Sequence, residues 1–457
     1  MLRKADHAGG YATATILVVI AIIGSTSLWS YREALSGRTL ANARLFQARA
    51  ASLAGIGLQQ AQARLFADPD ASRLSWQRHP SEAREEEIAL ATRLLWTDSL
   101  PPGFSANRFI DRHHEITSIA TSGLGTRVVQ TMGVALLQAT AGAAAPEDCP
   151  AAQPLPVRVR IGSARGTRML AGSLLAGADP VLKIVDPDTG QVLWSAGRPA
   201  FPATQHLFDD HTRISTSVTP LDTDGDGLHD RIYAGDHTGR IWRVDLHNGN
   251  DAQGFASGSV LADLAGARGQ RQLLAAPDVS LAIDGAGNSW LNIVVGTSGP
   301  SGANRLFVLR DYAARAHWTD EEHRRWSPIH EQDLHAGALA PDLAAPPGYY
   351  LDTGAAEIFT PAITIDGTVT YAIAQTPVRG PGCITRLAIG NFDVADGTSA
   401  RLVDHASVAA GIPLRASLES DGQKLRRIRC TLAGVAVPQC SGFDPVRRRW
   451  WRREDAD

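Results

Sequence analysis

The residues with the clearest chemical pattern lie in one short acidic loop. Its sequence, DxDxDGxxD, places carboxylates at loop positions 1, 3, 5 and 9, which are Asp222, Asp224, Asp226 and Asp230. Gly227 at position 6 permits a sharp turn, and Leu228 at position 7 offers its carbonyl oxygen. Hard oxygen ligands on a tight loop suit Ca²⁺, and carboxylates crowded together without a cation repel one another. The pattern therefore predicts a calcium site with these four aspartates and Leu228 as ligands.

This acidic loop differs from an EF-hand. The bidentate glutamate of an EF-hand would fall at position 12, which is Tyr233 here. We therefore expect the last carboxylate to come from position 9, and we expect an affinity in the range of about 10⁻⁶ to 10⁻³ M. The alternative is a solvated acidic turn that binds no metal.

Other candidate sites are weaker. The segment HEQDLH at 330–335 resembles the HExxH zinc motif but has one residue too many, which turns the second histidine off the face of the first on a helix. We expect a surface segment there, and we expect His113 and His114 to be exposed. The chain has no Walker A, GxSxG or strand-linked GxGxxG motif, so the sequence predicts no enzyme of those classes.

The four cysteines show no spacing typical of metal, thioredoxin-like or haem sites. Cys430 and Cys440 flank a short predicted hairpin, so we expect them to form a disulfide in an oxidising compartment. Cys149 and Cys383 would then pair with each other or stay free.

Length and charge limit the class of protein. A chain of 457 residues has room for roughly three domains of ~150 residues. With 44% hydrophobic and 20% charged residues it is globular, and its net charge of −3 argues against nucleic acid as a partner.

The N-terminal part of the chain contains an apolar segment. Arg3 and Lys4 precede residues 11–29, and residues 16–23 carry no charge. Such a segment predicts an inner-membrane span with the bulk of the chain on the periplasmic side. It continues without proline into a stretch rich in Ala, Leu, Gln and Arg, which predicts one helix over 11–67. An ordinary signal anchor or a signal peptide is the alternative.

The same region resembles the minor pilins of the PilX family. The junction after Gly10 is similar to a prepilin cleavage site, and residues 41–65 are similar to that family's helix. Residues 114–137 read as two strands around a turn at 122–125, as at the end of PilX-like subunits. The resemblance implies a leader at 1–10, a transmembrane and stalk helix at 11–67, and a pilin-like globular part at 68–138.

A linker rich in Ala, Gly and Pro at 139–156 separates this part from a β region at 157–457. Three segments of the β region share a strand-turn-strand plan: 181–194, 239–249 and 304–311. Their spacing of roughly 60 residues exceeds the ~40–50 of common propeller repeats, which implies insertions. We favour a partial β-propeller, with a β-sandwich as the alternative. The predicted fold class is thus an α+β pilin-like stalk followed by a mainly-β partial propeller.

The β region resembles the PilY family of calcium-binding adhesins and assembly factors at type IV pilus tips. Residues 221–246 (LDTDGDGLHDRIYAGDHTGRIWRVDL) are similar to that family's signature segment. Residues 276–279, 290–297 and the arginine-rich end at 445–455 are similar to further landmarks in the same order. For the arginine-rich end, the resemblance implies a structural closing strand.

Together, these resemblances imply a non-enzymatic, calcium-binding component of the type IV pilus. It would act in assembly priming, adhesion or twitching, at the inner membrane, the pilus tip or the cell surface. Its partners would be other minor pilins, the assembly machinery and a host or surface receptor. The alternative is a membrane-anchored quinoprotein-type dehydrogenase, because residues 186–194 also resemble a turn of those propellers.

Overall fold

The structure is a computed structural model of the 457-residue chain. It describes residues 9–67, 77–80, 87–106, 108–122, 126–139, 155–172, 181–200, 202–214, 218–266, 271–273, 275–298, 303–339, 346–358, 361–374, 384–398, 401–409, 415–420, 426–432, 435–437 and 446–455. The chain divides into two compact units. One comprises Met1–Leu95, His114–Val134 and Arg448–Asp457, and the other comprises Trp96–His113 and Ala135–Arg447.

The first unit contains helix α1 (Gly9–Ala67) and the greater part of a five-stranded sheet, sheet I. The strands of sheet I are β1 (Gln77–Pro80), β2 (Glu87–Asp98), β3 (Phe109–Ser122), β4 (Thr126–Ala139) and β27 (Val446–Asp455), in that order across the sheet. The two strands predicted around residues 122–125 are confirmed as β3 and β4.

The end of helix α1 packs against sheet I. Its buried positions recur every three or four residues, as expected for one helix face: Ala50, Ala54, Leu58, Ala61 and Leu65. Ala50 and Ala54 share a core with Ala120 of β3 and Val128 of β4. Small side chains on this face let the helix approach the sheet closely.

The predicted fold class, an α+β pilin-like stalk followed by a partial β-propeller, is wrong. Within the described residues the fold is mostly β, with 48% in strands, one helix of seven or more residues and several separate sheets. Within the described residues there is no closed propeller. The C-terminal strand β27 pairs beside β4 in sheet I and not with the strands that precede it along the chain. Helix α1 is not a separate stalk, because its last turns are buried against sheet I.

In the part of the chain that the structure describes, no helix is long and apolar enough to cross a membrane. Residues 1–8 of the predicted leader (1–10) and residues 140–154 of the predicted linker (139–156) lie outside the described residues.

Sheets II and III follow in the second unit. Sheet II is formed by β5 (Leu155–Ile161), β6 (Ala164–Gly172), β7 (Leu182–Val185), β8 (Val192–Gly197) and β9 (Gln205–His206), in that order. Sheet III contains β10 (Thr219–Leu221), β11 (Arg231–Gly235), β12 (Arg240–Leu246), β13 (Ala256–Asp263) and β17 (Ile329–His330), also in that order. A short helix, α2 (Asp320–Arg325), precedes β17 and begins with a capping box between Thr319 and Glu322.

Sheets IV, V and VI complete the described strands. Sheet IV has β14 (Asp278–Ile283), β15 (Ser289–Gly296), β16 (Asn304–Asp311), β18 (His335–Ala336) and β19 (Gly348–Gly354), in the order β14-β15-β16-β19-β18. Sheet V has β20 (Ile363–Ile365), β21 (Thr368–Ala374), β22 (Ile384–Asp393) and β23 (Arg401–Ala409). Sheet VI has β24 (Arg415–Ser420), β25 (Arg426–Leu432) and β26 (Val435–Val437). Neighbouring strands within sheets V and VI are antiparallel.

Sheets III and IV are buried on both faces because alternate residues of each strand enter different cores. In β11, Ile232 lies in a core shared with sheet II, whereas Tyr233 lies in a core shared with sheet IV. In β16, Phe307 lies in the core shared with sheet III, and Val308 lies in a third core shared with sheet V. The strands β10 and β11, and the loops that follow them, are thus anchored in a sheet that packs against a core on each face.

Candidate metal centre

The acidic loop 222–230 connects the antiparallel strands β10 and β11. Leu221 of β10 pairs with Arg231 of β11, so the two ends of the loop are held side by side. Asp230 N donates to the Leu221 carbonyl at 2.7 Å and closes the base of the loop. The sheet therefore fixes where the loop begins and ends, and the loop's own hydrogen bonds fix its shape.

Three of the predicted ligands lie together. Asp222, Asp224 and Asp226 each offer a carboxylate oxygen, and these oxygens all lie within 4.8 Å of one another. Both oxygens of Asp222 accept backbone hydrogen bonds, Oδ1 from Gly225 N at 2.7 Å and Oδ2 from Gly227 N at 2.9 Å. Gly227 has φ of 83°, a left-handed conformation that glycine adopts without strain. The loop wraps around the Asp222 carboxylate.

The other two predicted ligands are placed differently. The Asp230 carboxylate accepts from Thr223 N at 2.8 Å and from Asn248 Nδ2 at 3.3 Å, and it is not among the three clustered carboxylates. Leu228 buries its side chain, and its N–H donates to Asp226 Oδ1 at 2.7 Å. Asp230 braces the loop through these hydrogen bonds, and the ligand roles of Asp230 and of the Leu228 carbonyl remain predictions.

The surroundings disfavour the ionised forms of two loop carboxylates, those of Asp222 and Asp230. Burial raises the pKa of Asp222 to about 6; hydrogen bonds from the loop oppose this rise, and the charges of Asp230 and Asp224 add to it. Burial also raises the pKa of Asp230, and the charge of Asp224 acts in the same direction. A bound cation would offset the cost of ionising these groups.

The geometry of the three carboxylates fits Ca²⁺. Oxygen ligands lie about 2.3–2.6 Å from Ca²⁺, so two ligands of one ion are at most about 5 Å apart. The separations within the cluster, all 4.8 Å or less, meet this limit. Asp224 and Asp226 are exposed and Asp222 is half-buried, so an ion has access from solvent.

Residues distant in sequence also contact the loop, and no sequence motif indicated these contacts. Ser99 Oγ donates to the Asp222 carbonyl at 2.6 Å, across 123 positions of sequence. Arg315 Nη1 donates to the Thr223 carbonyl at 3.1 Å, across 92 positions. Asn248 lies in the turn after β12 and joins the loop through Asp230. Sequence spacing alone could not find these contacts because each depends on the packing of distant segments.

A buried ionic cluster links sheets III and IV, and sequence reasoning missed it. Its charged members, Arg231, Arg243, Asp245 and Asp311, have side chains that are at most 2% exposed. Arg243 bridges Asp245, with Nε–Oδ2 at 2.7 Å, and Asp311, with Nη1–Oδ2 at 2.9 Å. Arg231 Nε donates to Asp245 Oδ1 at 3.0 Å. The alternation of Arg243 and Asp245 on one face of a strand is the signal that could have indicated it.

The remaining sequence candidates have mixed outcomes. Segment 330–335 lies partly at the surface: His330, Gln332 and Asp333 are exposed and Leu334 is buried. Its Glu331 forms ion pairs with Arg271 and Arg305. The prediction that His113 and His114 are exposed is wrong, because they are 9% and 0% exposed. His113 stacks on Trp96 with ring centroids 4.3 Å apart.

For the predicted disulfide between Cys430 and Cys440, the structure describes only the backbone around Cys430. The hairpin predicted after Cys430 is confirmed, since β25 and β26 pair with Leu432 opposite Val435. Cys149, Cys383 and Cys440 lie outside the described residues, so the disulfide remains a prediction.

No family model and no curated protein matches the chain. Among solved structures, the C-terminal domain of PilY1 from Pseudomonas aeruginosa is similar to it at 14% sequence identity, with a TM-score of 0.47. The similarity covers 79% of this chain and 93% of that chain.

Proposed function

We propose that this chain is a non-enzymatic, calcium-binding component that works with the type IV pilus machinery. The observation that carries the calcium part is the cluster of three carboxylates within 4.8 Å on a loop closed by its own backbone. The link to the pilus is supported by the resemblance of residues 221–246 and the later landmarks to the PilY signature.

In this proposal the β-rich part of the chain lies on the periplasmic side of the inner membrane or at the cell surface. It acts in pilus assembly, adhesion or twitching together with minor pilins. Calcium would hold the acidic loop rigid between β10 and β11, and so stabilise sheet III, to which both strands belong.

Thermal unfolding of the full chain tests the calcium site. In millimolar Ca²⁺ we expect a higher Tm than in EGTA, because an ion bound only to the folded state adds about 2.7 kcal/mol when its concentration is 100 times Kd. Asp226→Ala removes one clustered carboxylate and should lose most of this increment.

Asp284→Ala is the matched control. Asp284 closes the β14–β15 turn in the same way, since its Oδ1 accepts from Ala286 N at 2.9 Å and from Asn288 N at 2.8 Å. Both variants lose turn-closing hydrogen bonds, at a cost of about 1 kcal/mol per bond, but Asp284→Ala should keep the calcium increment. Equal Tm values for the wild type in both buffers, or an unchanged increment in Asp226→Ala, would contradict the calcium site.

The same two variants test the role in the pilus when they replace the natural chain in its source organism. We expect Asp226→Ala to reduce piliation and twitching, and Asp284→Ala to leave both unchanged. Deletion of the gene should reduce them at least as much. Normal piliation and twitching in the deletion strain would contradict the proposed role in the pilus, and the calcium measurement would still stand.

A further inference from the structure

A serine, a histidine and an aspartate form a hydrogen-bonded chain beside helix α2. Ser259 Oγ lies 2.8 Å from Nδ1 of His323, and Nε2 of the same ring lies 3.1 Å from Oδ2 of Asp245. These separations fall within the range of about 2.6–3.2 Å that joins a nucleophile to its base, and the base to the group that orients it. The three residues belong to β13, α2 and β12, so tertiary packing within the second unit brings them together.

The hydrogen bonds of this chain run in one direction. Burial alone would raise the pKa of Asp245, but the hydrogen bond from His323 and the charges of two arginines hold it well below its usual range. An ionised carboxylate can only accept hydrogen bonds, so the neutral imidazole donates from Nε2 and keeps a lone pair on Nδ1. Ser259 then donates its hydroxyl proton to Nδ1, and a histidine placed in this way can act as the base for that proton.

Helix α2 holds His323 in place at both ends. A capping box fixes its first turn, and at its end Trp326 Nε1 donates to the Leu261 carbonyl of β13 at 3.1 Å. The His323 ring is buried and packs edge-to-face against Trp318, with ring centroids 5.2 Å apart. The imidazole is therefore oriented toward Ser259 before any reactant arrives, which favours the reaction.

A second serine–histidine pair in the same strand lacks these properties. Ser257 Oγ lies 2.8 Å from Nε2 of His247, but it donates to the Trp318 carbonyl at 3.0 Å. Ser257 is also 1% exposed, whereas Ser259 is partly exposed. Of the two serines, Ser259 alone combines access from solvent with a histidine that can take its proton.

We propose that Ser259 is a nucleophilic serine that a small acyl ester modifies covalently, with His323 as its base. The ester must be small because the hydroxyl is only partly exposed. This site goes beyond the proposed function, since it depends neither on calcium nor on the pilus.

The reaction is an acyl transfer. Ser259 Oγ attacks the carbonyl carbon of the ester, so that a bond from Oγ to that carbon forms and the bond from the carbon to the leaving oxygen breaks. His323 Nδ1 takes the hydroxyl proton and passes it to the leaving oxygen or to water, which regenerates the neutral imidazole. The acyl group stays on Ser259, so the site is one of modification and not of turnover.

Reaction of the full chain with p-nitrophenyl acetate tests the site. In the wild type we expect one rapid equivalent of nitrophenolate, and peptide mass spectrometry should locate the acetyl group on Ser259. Ser259→Ala should lose the rapid equivalent. His323→Gln should slow the acetylation by at least about tenfold, because glutamine can still donate an N–H to Asp245 but cannot act as a base.

Ser257→Ala is the matched control, since it removes the other serine–histidine contact of β13 and should leave the acetylation rate unchanged. Circular dichroism of each variant separates a slower reaction from a loss of fold. No rapid equivalent in the wild type, an acetyl group on Ser257 in place of Ser259, or equal rates in the wild type and His323→Gln would overturn the proposal. If His323→Gln does not fold, the wild type decides: acetylation of Ser259 no faster than that of the exposed Ser36 overturns it.

Discussion

Aspartate side chains close many of the turns in this protein by accepting hydrogen bonds from the backbone N–H groups that follow them. Asp186 does so before β8, Asp236 before β12, and Asp284 before β15. Asp222 uses the same type of bond, but it has two further carboxylates beside it. At the residue scale, therefore, the crowding of carboxylates distinguishes the acidic loop, because the turn chemistry itself is common to the fold.

Asp209 gives a pH-dependent prediction. Burial alone would raise its pKa, but hydrogen bonds from Arg240 and Thr212 outweigh that effect and lower the pKa from 3.8 to about 2. An acid with a lowered pKa in the folded state stabilises the protein above its unfolded pKa, and this contribution is lost as the pH falls toward the folded pKa.

The free energy of unfolding should therefore decrease as the pH is lowered from about 4 to about 2, and Asp209→Asn should reduce the decrease. Urea unfolding at a series of pH values measures it. Asp210→Asn, the same change at the neighbouring exposed residue, should leave this loss of stability at low pH as it is in the wild type. If the two variants lose the same stability at low pH, the Arg240 and Thr212 contacts do not set the pKa of Asp209.

At the scale of single elements, helix α1 has two environments along its length. Residues 25–45 are exposed on all sides, whereas the face from Ala50 to Leu65 packs on sheet I. One glycine lies in each environment: Gly57 on the packed face and Gly37 in the exposed part. A Cβ on Gly57 would lie 2.2 Å from Ser118 Oγ and 2.8 Å from Leu90 Cδ2, while a Cβ on Gly37 would meet nothing within 4 Å.

The same substitution should therefore have opposite effects at the two glycines. Gly57→Ala overpacks the helix–sheet contact and should destabilise the protein by about 1–3 kcal/mol. Gly37→Ala should stabilise the helix by about 0.5–1 kcal/mol, because alanine has the higher helix propensity. Circular dichroism during urea unfolding gives both values. Stabilisation by both changes would show that Gly57 does not lie at a close contact.

At the scale of the whole second unit, ionic contacts tie its sheets together as well as apolar cores do. The carboxylate of Asp311, in β16 of sheet IV, accepts hydrogen bonds from Tyr233 and Arg243, which belong to β11 and β12 of sheet III. A charge in such a position is costly to leave without its partner.

Asp311→Ala should therefore destabilise the protein by about 3–5 kcal/mol, since it leaves a buried guanidinium uncompensated. Asp352→Ala is the matched control, because Asp352 also pairs with an arginine, Arg305, but its side chain is 71% exposed. It should cost at most about 1 kcal/mol. Chemical denaturation of the two variants compares them, and equal losses would mean that burial does not govern these pairs.

Features that depend on near neighbours in the chain can be predicted from the amino-acid sequence alone. The strands β3 and β4 around their turn, the β7–β8 turn at Asp186, and the acidic loop with its glycine at 227 all follow from residue types a few positions apart. Turn-forming residues and alternating apolar residues act over such distances, so a single segment contains the information.

Tertiary packing determines which distant segments meet. It removed Asp230 from the carboxylate cluster by pairing it with Thr223 and Asn248, and it buried His114 although nothing in its local sequence required burial. It also placed β27 beside β4 and residues 100–106 between β14 and β20. The physical reason is that unsatisfied sheet edges and apolar faces are completed by whichever segment packs best, at any separation along the chain.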